Sequence, residues 1–441
     1  MTTPPGSLGN VPPASVPLSY LGAAAIGLIG FGTASMLAAD KIVASPIYPG
    51  TLAAVHVGML AFLTVAVLGA LHQFAPVIGQ RPLRSVPAAR VSWAGIVTTA
   101  WLLPTGFAHG PEDLVPAAGL IGAASVALIG WNLTGPLGRG ATGLPVWGLR
   151  ASVTFLIATV GFGVVYAFNR QTAWFPLLPQ RVLAHAHLGL IGWLGLTYVS
   201  VAEKLWPMFL LSHRPSDRSG RIAVGSFASG VVVLVPGLLF GPPLIAWAGG
   251  LLVATGTVAH LTSLALHVRY RRRAIEVLHA FIFVSSGFLL TAMVLALLAA
   301  TLDISTAART HLVSAEVTAL TAWLGLAIIG HVHKIIPFIG YQLLRSRGIA
   351  TGPTGRPLLF SDLYSRRLAI AALILGSAGS SAIIVGLLTA RSVLVMAGAL
   401  LLAVTGIITA LNLLAGPRRV LRHARDAHTA ESPQATVGAP A

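Results

Sequence analysis

RVLAHAHLGLIGWLGLTYVSVAEKLWPMFLL, residues 181–211, is the stretch from which the fold can be read. His185 and His187 stand at its start, and Glu203, Lys204 and Pro207 at its end. Between them, Leu188 to Ala202 carries no charge. At about 1.5 Å per residue, a helix from His187 to Pro207 spans about 30 Å, the hydrocarbon thickness of a bilayer. Ionisable side chains at the ends of such a helix are expensive in lipid and mark function.

Two other stretches share this design. HVGMLAFLTVAVLGALHQFAPVIG starts at His56 and ends with His72 and Pro76. HLVSAEVTALTAWLGLAIIGHVHKIIPFIG starts at His311 and ends with His331, His333, Lys334 and Pro337. The prolines lie 131 and 130 residues apart. Four residues before each stands His72, Glu203 or His333, and three before stands Gln73, Lys204 or Lys334. Twenty before stands His56, His187 and then Val317. A constant spacing with shared polar sites predicts an internal triplication. The expected fold is an all-α integral membrane protein of twelve transmembrane helices in three pseudo-threefold-related four-helix arcs. The membrane domain covers 18–415, with repeats over about 18–140, 141–267 and 275–415.

Composition agrees with a polytopic membrane protein: 441 residues, 55% hydrophobic and 9% charged. No cysteine is present, so disulfides, iron–sulfur clusters, thiolate zinc and covalent c-type haem are excluded within this chain. The net charge of +17 is topological and does not point to nucleic acid. With both ends inside, 21 Arg residues fall in the inner connections and tail (Arg81 through Arg214 to Arg425), against five basic residues outside: Lys41, Arg170, Arg181, Arg309 and Arg391. This predicts a multi-pass protein of the cell (inner) membrane with cytoplasmic termini, its basic loops contacting anionic lipid heads. Residues 1–17 read as a disordered Pro-rich leader and 416–441 as a disordered basic tail.

Under this topology His56, His185, His187 and His311 gather near the outer face. A possible inner polar layer holds His72, Glu203, Lys204 and His333. Neutral imidazole ligates haem iron and copper, and a bilayer supplies apolar walls for a macrocycle. His56 and His187, tied by the repeat, are the expected ligands. His185 lies about 200° round from His187 on a regular helix and joins one metal with it only from the preceding loop. His109 and His185 read more simply as interfacial, and His260, His267 and His279 as packing residues. The shared register of His72, Glu203 and His333 allows them to converge near the axis, as a proton path, an ion pair or a rim. Lys204 reads as snorkelling. The His331/His333 pair lies at the wrong end of its helix to join His56 and His187.

Twelve helices in three arcs, with histidines at the outer ends of the second, sixth and tenth, resemble the catalytic subunit of the haem–copper oxidase superfamily. The resemblance is nearest to the C-type oxidases and to the NnrS family of haem- and copper-binding membrane proteins. It implies that His56 is a haem ligand and His187 a copper ligand. It also implies an electron-donor or assembly subunit on a separate chain. The positions matching the family's tenth-helix H-x-H are Ala315 and Val317, with His311 one turn outward as a substitute. The seventh helix, RIAVGSFASGVVVLVPGLLF, has no histidine where the family has copper ligands. The expected function is therefore respiratory or nitric-oxide-related redox chemistry through haem or copper. The alternatives are non-catalytic haem or copper handling or sensing, and a transporter that uses the inner His/Glu/Lys layer.

Overall fold

A computed structural model describes residues 11–213, 216–241, 243–352 and 355–431, so Arg214 and the first ten and last ten residues of the expected termini lie outside the described residues. Among the described residues the regular structure is helical, apart from one isolated bridge between Thr351 and Pro357. Twelve helices are long and apolar enough to cross a membrane. They are α1 Ser15–Leu37, α2 Pro49–Gly79, α3 Val86–Ala108, α4 Leu114–Leu133, α5 Leu144–Thr172 and α6 Pro179–Leu210. The second half comprises α7 Arg218–Phe240, α8 Pro243–Arg269, α9 Val277–Thr301, α10 Thr306–Ser346, α11 Arg366–Leu388 and α12 Ser392–Glu431. α1 begins inside the expected leader, and α12 runs past Pro417 to Glu431, where the sequence suggested irregular chain from 416.

Each spanning helix packs against its neighbour in sequence, and α12 packs against α1, so the contacts close on themselves. α2, α6 and α10 are the inner helices: two thirds of the apolar 18-residue stretch of each is buried (67%), against 22–50% for that of the other nine. An apolar sequence hydrophobic all round gives a helix without a polar face, and burial then follows from position in the bundle. Small residues let backbones approach where the helices cross. A Cβ on Gly27 of α1 would fall on the Ala61 backbone of α2.

α2 and α6 end alike. Gln80 and Leu211, each four residues beyond the helix's proline, adopt left-handed conformations at φ 54° and 47°. The following amides, of Arg81 and Ser212, donate to the carbonyls of Pro76 and Pro207. Such a turn satisfies the carbonyls that a helix end leaves open. In α10 the helix continues instead through Pro337 to Ser346.

Candidate functional site

The ends of α2, α6 and α10 that precede the apolar runs form a histidine end, and the ends carrying Pro76, Pro207 and Pro337 a proline end. At the histidine end, His56 Nδ1 lies 2.7 Å from the Leu52 carbonyl and His187 Nδ1 2.9 Å from that of Leu183. A carbonyl only accepts, so each Nδ1 carries a proton and each Nε2 is left to face the neighbouring helix. Immediately after each histidine the helix widens into a π-helical turn, Val57–Thr64 in α2 and Leu188–Gly195 in α6. Such turns are rare and concentrate at functional sites.

The two histidines face different neighbours. His56 packs on Phe107 of α3 at 5.1 Å between ring centroids, and lies within electrostatic reach of His185. His185 itself rests against Tyr166 of α5, at 5.8 Å. His187 Nε2 stands 3.3 Å from Glu316 Oε1 of α10, and both residues are buried. Neutral Nε2 and an ionised carboxylate are both acceptors, so this approach requires a positive species between them, either a shared proton or a metal ion. Glu316 is the site residue that sequence reading passed over. Its signal was present in the sequence: a carboxylate in an apolar membrane run, between Ala315 and Val317. His311 is half-buried on α10 and the contacts of His56 and His187 do not include it; His109 is exposed.

The two pairs occupy matching interfaces. His56 to His185 and His187 to Glu316 are both separations of 129 residues, as is the hydrogen bond from Trp193 Nε1 to Thr64 Oγ1 at 3.3 Å. Between α10 and α2 the corresponding side chains are Val317, Ala54 and Val55, and these line an apolar cavity of about 90 Å³ with Met59 and Phe62.

At the proline end, His72, Glu203 and His333 do not converge. His333 and Glu203 turn toward α12 and α8, whereas His72 meets Tyr20 of α1. His333 Nε2 is 3.4 Å from Asn412 Nδ2 of α12, and Ser263 Oγ of α8 donates to Glu203 Oε1 at 2.6 Å. Asn132 of α4 and Asn412 each accept from the backbone N–H of a serine 47 residues earlier, Ser85 and Ser365, which cap α3 and α11. His72 stacks on Tyr20 of α1 and His333 on Phe281 of α9, at 4.9 and 5.8 Å. Lys204 is exposed, whereas Lys334 pairs with Glu276 at 2.7 Å. Tyr364, outside the spans, has its phenol pushed up by burial and then by the Glu276 carboxylate, against the opposing Arg366 charge.

His331 and His333 point to different places, as two residues two apart on a helix must. His331 and Tyr198 line a second apolar cavity, of about 70 Å³, formed by one register of the three inner helices: Val67, Tyr198 and Ile328, then Ala70, Val201 and His331. Tyr198 touches His260 of α8 and His331 at ring-centroid distances of 5.5 and 6.0 Å. The Tyr198 hydroxyl, both His260 nitrogens and Thr257 Oγ1 are buried without a hydrogen-bond partner among the described residues. Each orphaned group costs about 1–3 kcal/mol, so a cluster of them calls for an explanation beyond packing.

A macrocycle does not fit either cavity, since about 90 and 70 Å³ fall well below the roughly 300 Å³ at which organic ligand pockets begin. A single ion fits the His187–Glu316 pair. Ligands about 2.1 Å from one ion at a tetrahedral angle stand about 3.4 Å apart, close to the 3.3 Å found. No group of three His, Cys, Asp or Glu side chains among the described residues is placed to share a metal, so such an ion has two protein ligands of these types. No protein-family model and no curated protein matches the chain.

Proposed function

We propose that this is a membrane protein that holds a copper-class metal ion between α6 and α10, on a triplicated bundle of the haem–copper oxidase type. The observation that carries the reading is the approach of His187 Nε2 to Glu316 Oε1, 3.3 Å apart with both residues buried. Imidazole suits copper and other borderline divalent ions, and a carboxylate completes the pair for an oxidised one. The Leu183 carbonyl fixes the tautomer and aim of the His187 ring, as outer-shell partners of metal-bound histidines do.

The arrangement in three pseudo-threefold-related arcs belongs to this proposal. It is supported by the matching 129-residue contacts, the Asn132/Asn412 pair and the common register lining the second cavity. The positive-inside distribution favours the cell membrane with cytoplasmic termini, lipid as the surrounding partner and the histidine end outside. A separate electron-donor or assembly subunit follows only if the ion is redox-active there. Two protein ligands favour handling or sensing of copper over oxygen or nitric oxide turnover, which needs a fuller ligand set.

The test is metal content and copper titration of detergent-purified protein. About one copper per chain is expected, with loss of binding in His187→Ala and in Glu316→Gln. Copper-free protein that takes up none, or equal binding in both variants, overturns the reading. A Soret band lost in His56→Ala would instead support the haem reading, and a colourless, metal-free protein the transporter reading.

A further inference from the structure

The proline end carries a cluster of positive charge that is independent of the metal. The α8–α9 connection reads RYRRR over residues 269–273, and all four arginines are exposed. Its backbone is nonetheless held. The amides of Arg272 and Arg273 both donate to the Leu210 carbonyl at the end of α6, at 2.9 and 3.1 Å, and Arg271 Nη1 donates to the Val268 carbonyl at 2.9 Å. The loop therefore presents its guanidinium groups from a fixed base. Beside it, Lys334 of α10 pairs with Glu276 at 2.7 Å and lies 5.9 Å from the ring centroids of both Phe209 and Phe360. Arg271 and Lys334 act electrostatically on His279, and Arg366 at the start of α11 acts on Tyr364, while Glu276 acts on both. Arg271, Lys334 and Arg366 thus share one neighbourhood, flanked in sequence by Arg272, Arg273 and Arg367. Glu276 is taken by Lys334, and among the described residues no ion pair joins these arginines to a carboxylate. Like charges held together repel, and an added anion relieves the repulsion.

α9 leaves this cluster with an apolar track. Phe283, Gly287, Leu290, Val294 and Leu297 are exposed and recur every three or four residues, so they lie on one face. At about 1.5 Å per residue the track is about 21 Å long, two thirds of a 30 Å hydrocarbon core. A soluble phosphate would use the arginines alone, whereas a phospholipid meets both features.

We propose that Arg271, Arg272, Arg273 and Arg366 bind the phosphate of an anionic phospholipid whose acyl chains lie along the exposed face of α9. A guanidinium fork matches two phosphate oxygens at once, and basic clusters beside membrane helices favour anionic lipid. Lys334 stays with Glu276, and the arginines carry the recognition.

Native mass spectrometry tests this on detergent-purified, delipidated protein incubated with equal amounts of phosphatidylglycerol and phosphatidylethanolamine. Preferential retention of one phosphatidylglycerol per chain is expected. The combined variant Arg271→Gln, Arg272→Gln, Arg273→Gln, Arg366→Gln should bind it at least about tenfold more weakly, because each juxtamembrane basic side chain adds to the attraction. A control that removes equal charge from exposed arginines elsewhere at the same end, Arg345→Gln, Arg418→Gln, Arg419→Gln, Arg422→Gln, should keep the preference. Thermal unfolding checks that each variant is folded. The pair Arg272→Gln, Arg273→Gln gives the same reading with less change, since those side chains make no hydrogen bond among the described residues. No preference in the unaltered protein, equal losses in cluster and control variants, or retention unchanged in the folded cluster variants overturns the proposal. Displacement of the lipid by excess inorganic phosphate would assign the cluster to a soluble anion and overturn it as well.

Discussion

The pair His187–Glu316 makes a quantitative demand on stability. Both groups are buried, at 8% and 4% exposure, and their contact joins α6 to α10. Replacing His187 with Ala leaves the Glu316 carboxylate facing apolar helix. Removing one partner of a buried pair costs about 3–5 kcal/mol, because a charge is left uncompensated. Glu316→Gln is gentler: His187 becomes neutral and its Nε2 accepts from the new amide, so the loss is about 1 kcal/mol. The double variant His187→Ala, Glu316→Gln removes the charge together with its partner. It is expected to recover most of the His187→Ala loss and to give a coupling energy of about 2 kcal/mol or more. Metal-free protein in detergent, unfolded by heat or denaturant, supplies the four stabilities of the cycle. Chelation beforehand keeps ligand stabilisation out of the comparison. Strict additivity of the two substitutions would refute the account, since it would mean that the residues do not share a proton across the interface.

Other expectations follow from the same geometry. Asn132→Ala and Asn412→Ala each release the capping serine's N–H of the neighbouring helix, and each is expected to lower stability by about 1–3 kcal/mol on thermal unfolding. Similar losses at the two sites would support the repeat, and a loss at one site alone would count against it. Gly27→Ala drives a methyl into the Ala61 backbone and is expected to reduce the yield of folded protein sharply on size-exclusion chromatography. Glu276→Gln should lower the titration midpoint of Tyr364 in ultraviolet absorbance, but not to the ordinary phenol value, because burial is the larger cause. The sign follows from charge, since a neighbouring carboxylate disfavours the phenolate and its removal eases ionisation.

The helices were legible because a bilayer imposes length and apolarity on each one separately. α2, α6 and α10 were legible as a set because proline and polar residues recur at fixed register. Side-chain direction was not, and the proline end shows why. His72, Glu203 and His333 share a register, which fixes the face of the helix they occupy but not which neighbour that face meets. That neighbour is α8 for Glu203, through Ser263, α12 for His333, through Asn412, and α1 for His72, through Tyr20. Nothing in an apolar helix announces an asparagine as a partner until the packing is known. The π-helical turns behind His56 and His187 were equally silent, because a one-residue widening leaves no period in so uniform a sequence. His260 read as a packing residue and Tyr198 drew no reading, and only their contact across α6 and α8 makes them a cluster.

The three interfaces among α2, α6 and α10 offer the sharper argument about function. One holds His56 near His185, the next holds His187 against Glu316, and the third holds Val317 with Ala54 and Val55 around a cavity. Had the polar pairs served only to hold inner helices together, the third interface would need one as much as the others, yet apolar contacts suffice there. Stability therefore does not require the pairs, and buried charges are a costly way to supply it. If packing is not their purpose, the two polar interfaces divide by chemistry. Two imidazoles repel when both are charged and suit a soft or borderline ion or a neutral ligand. An imidazole and a carboxylate offset one unit of the charge that a bound cation brings. The second is the cheaper place in a membrane to keep one cation, and installing the same pair at the third interface, as Val317→His with Val55→Glu, should create a second site. Copper titration of that variant is expected to approach two equivalents per chain, and a stoichiometry unchanged from the parent in folded protein would show that the pair alone does not make the site.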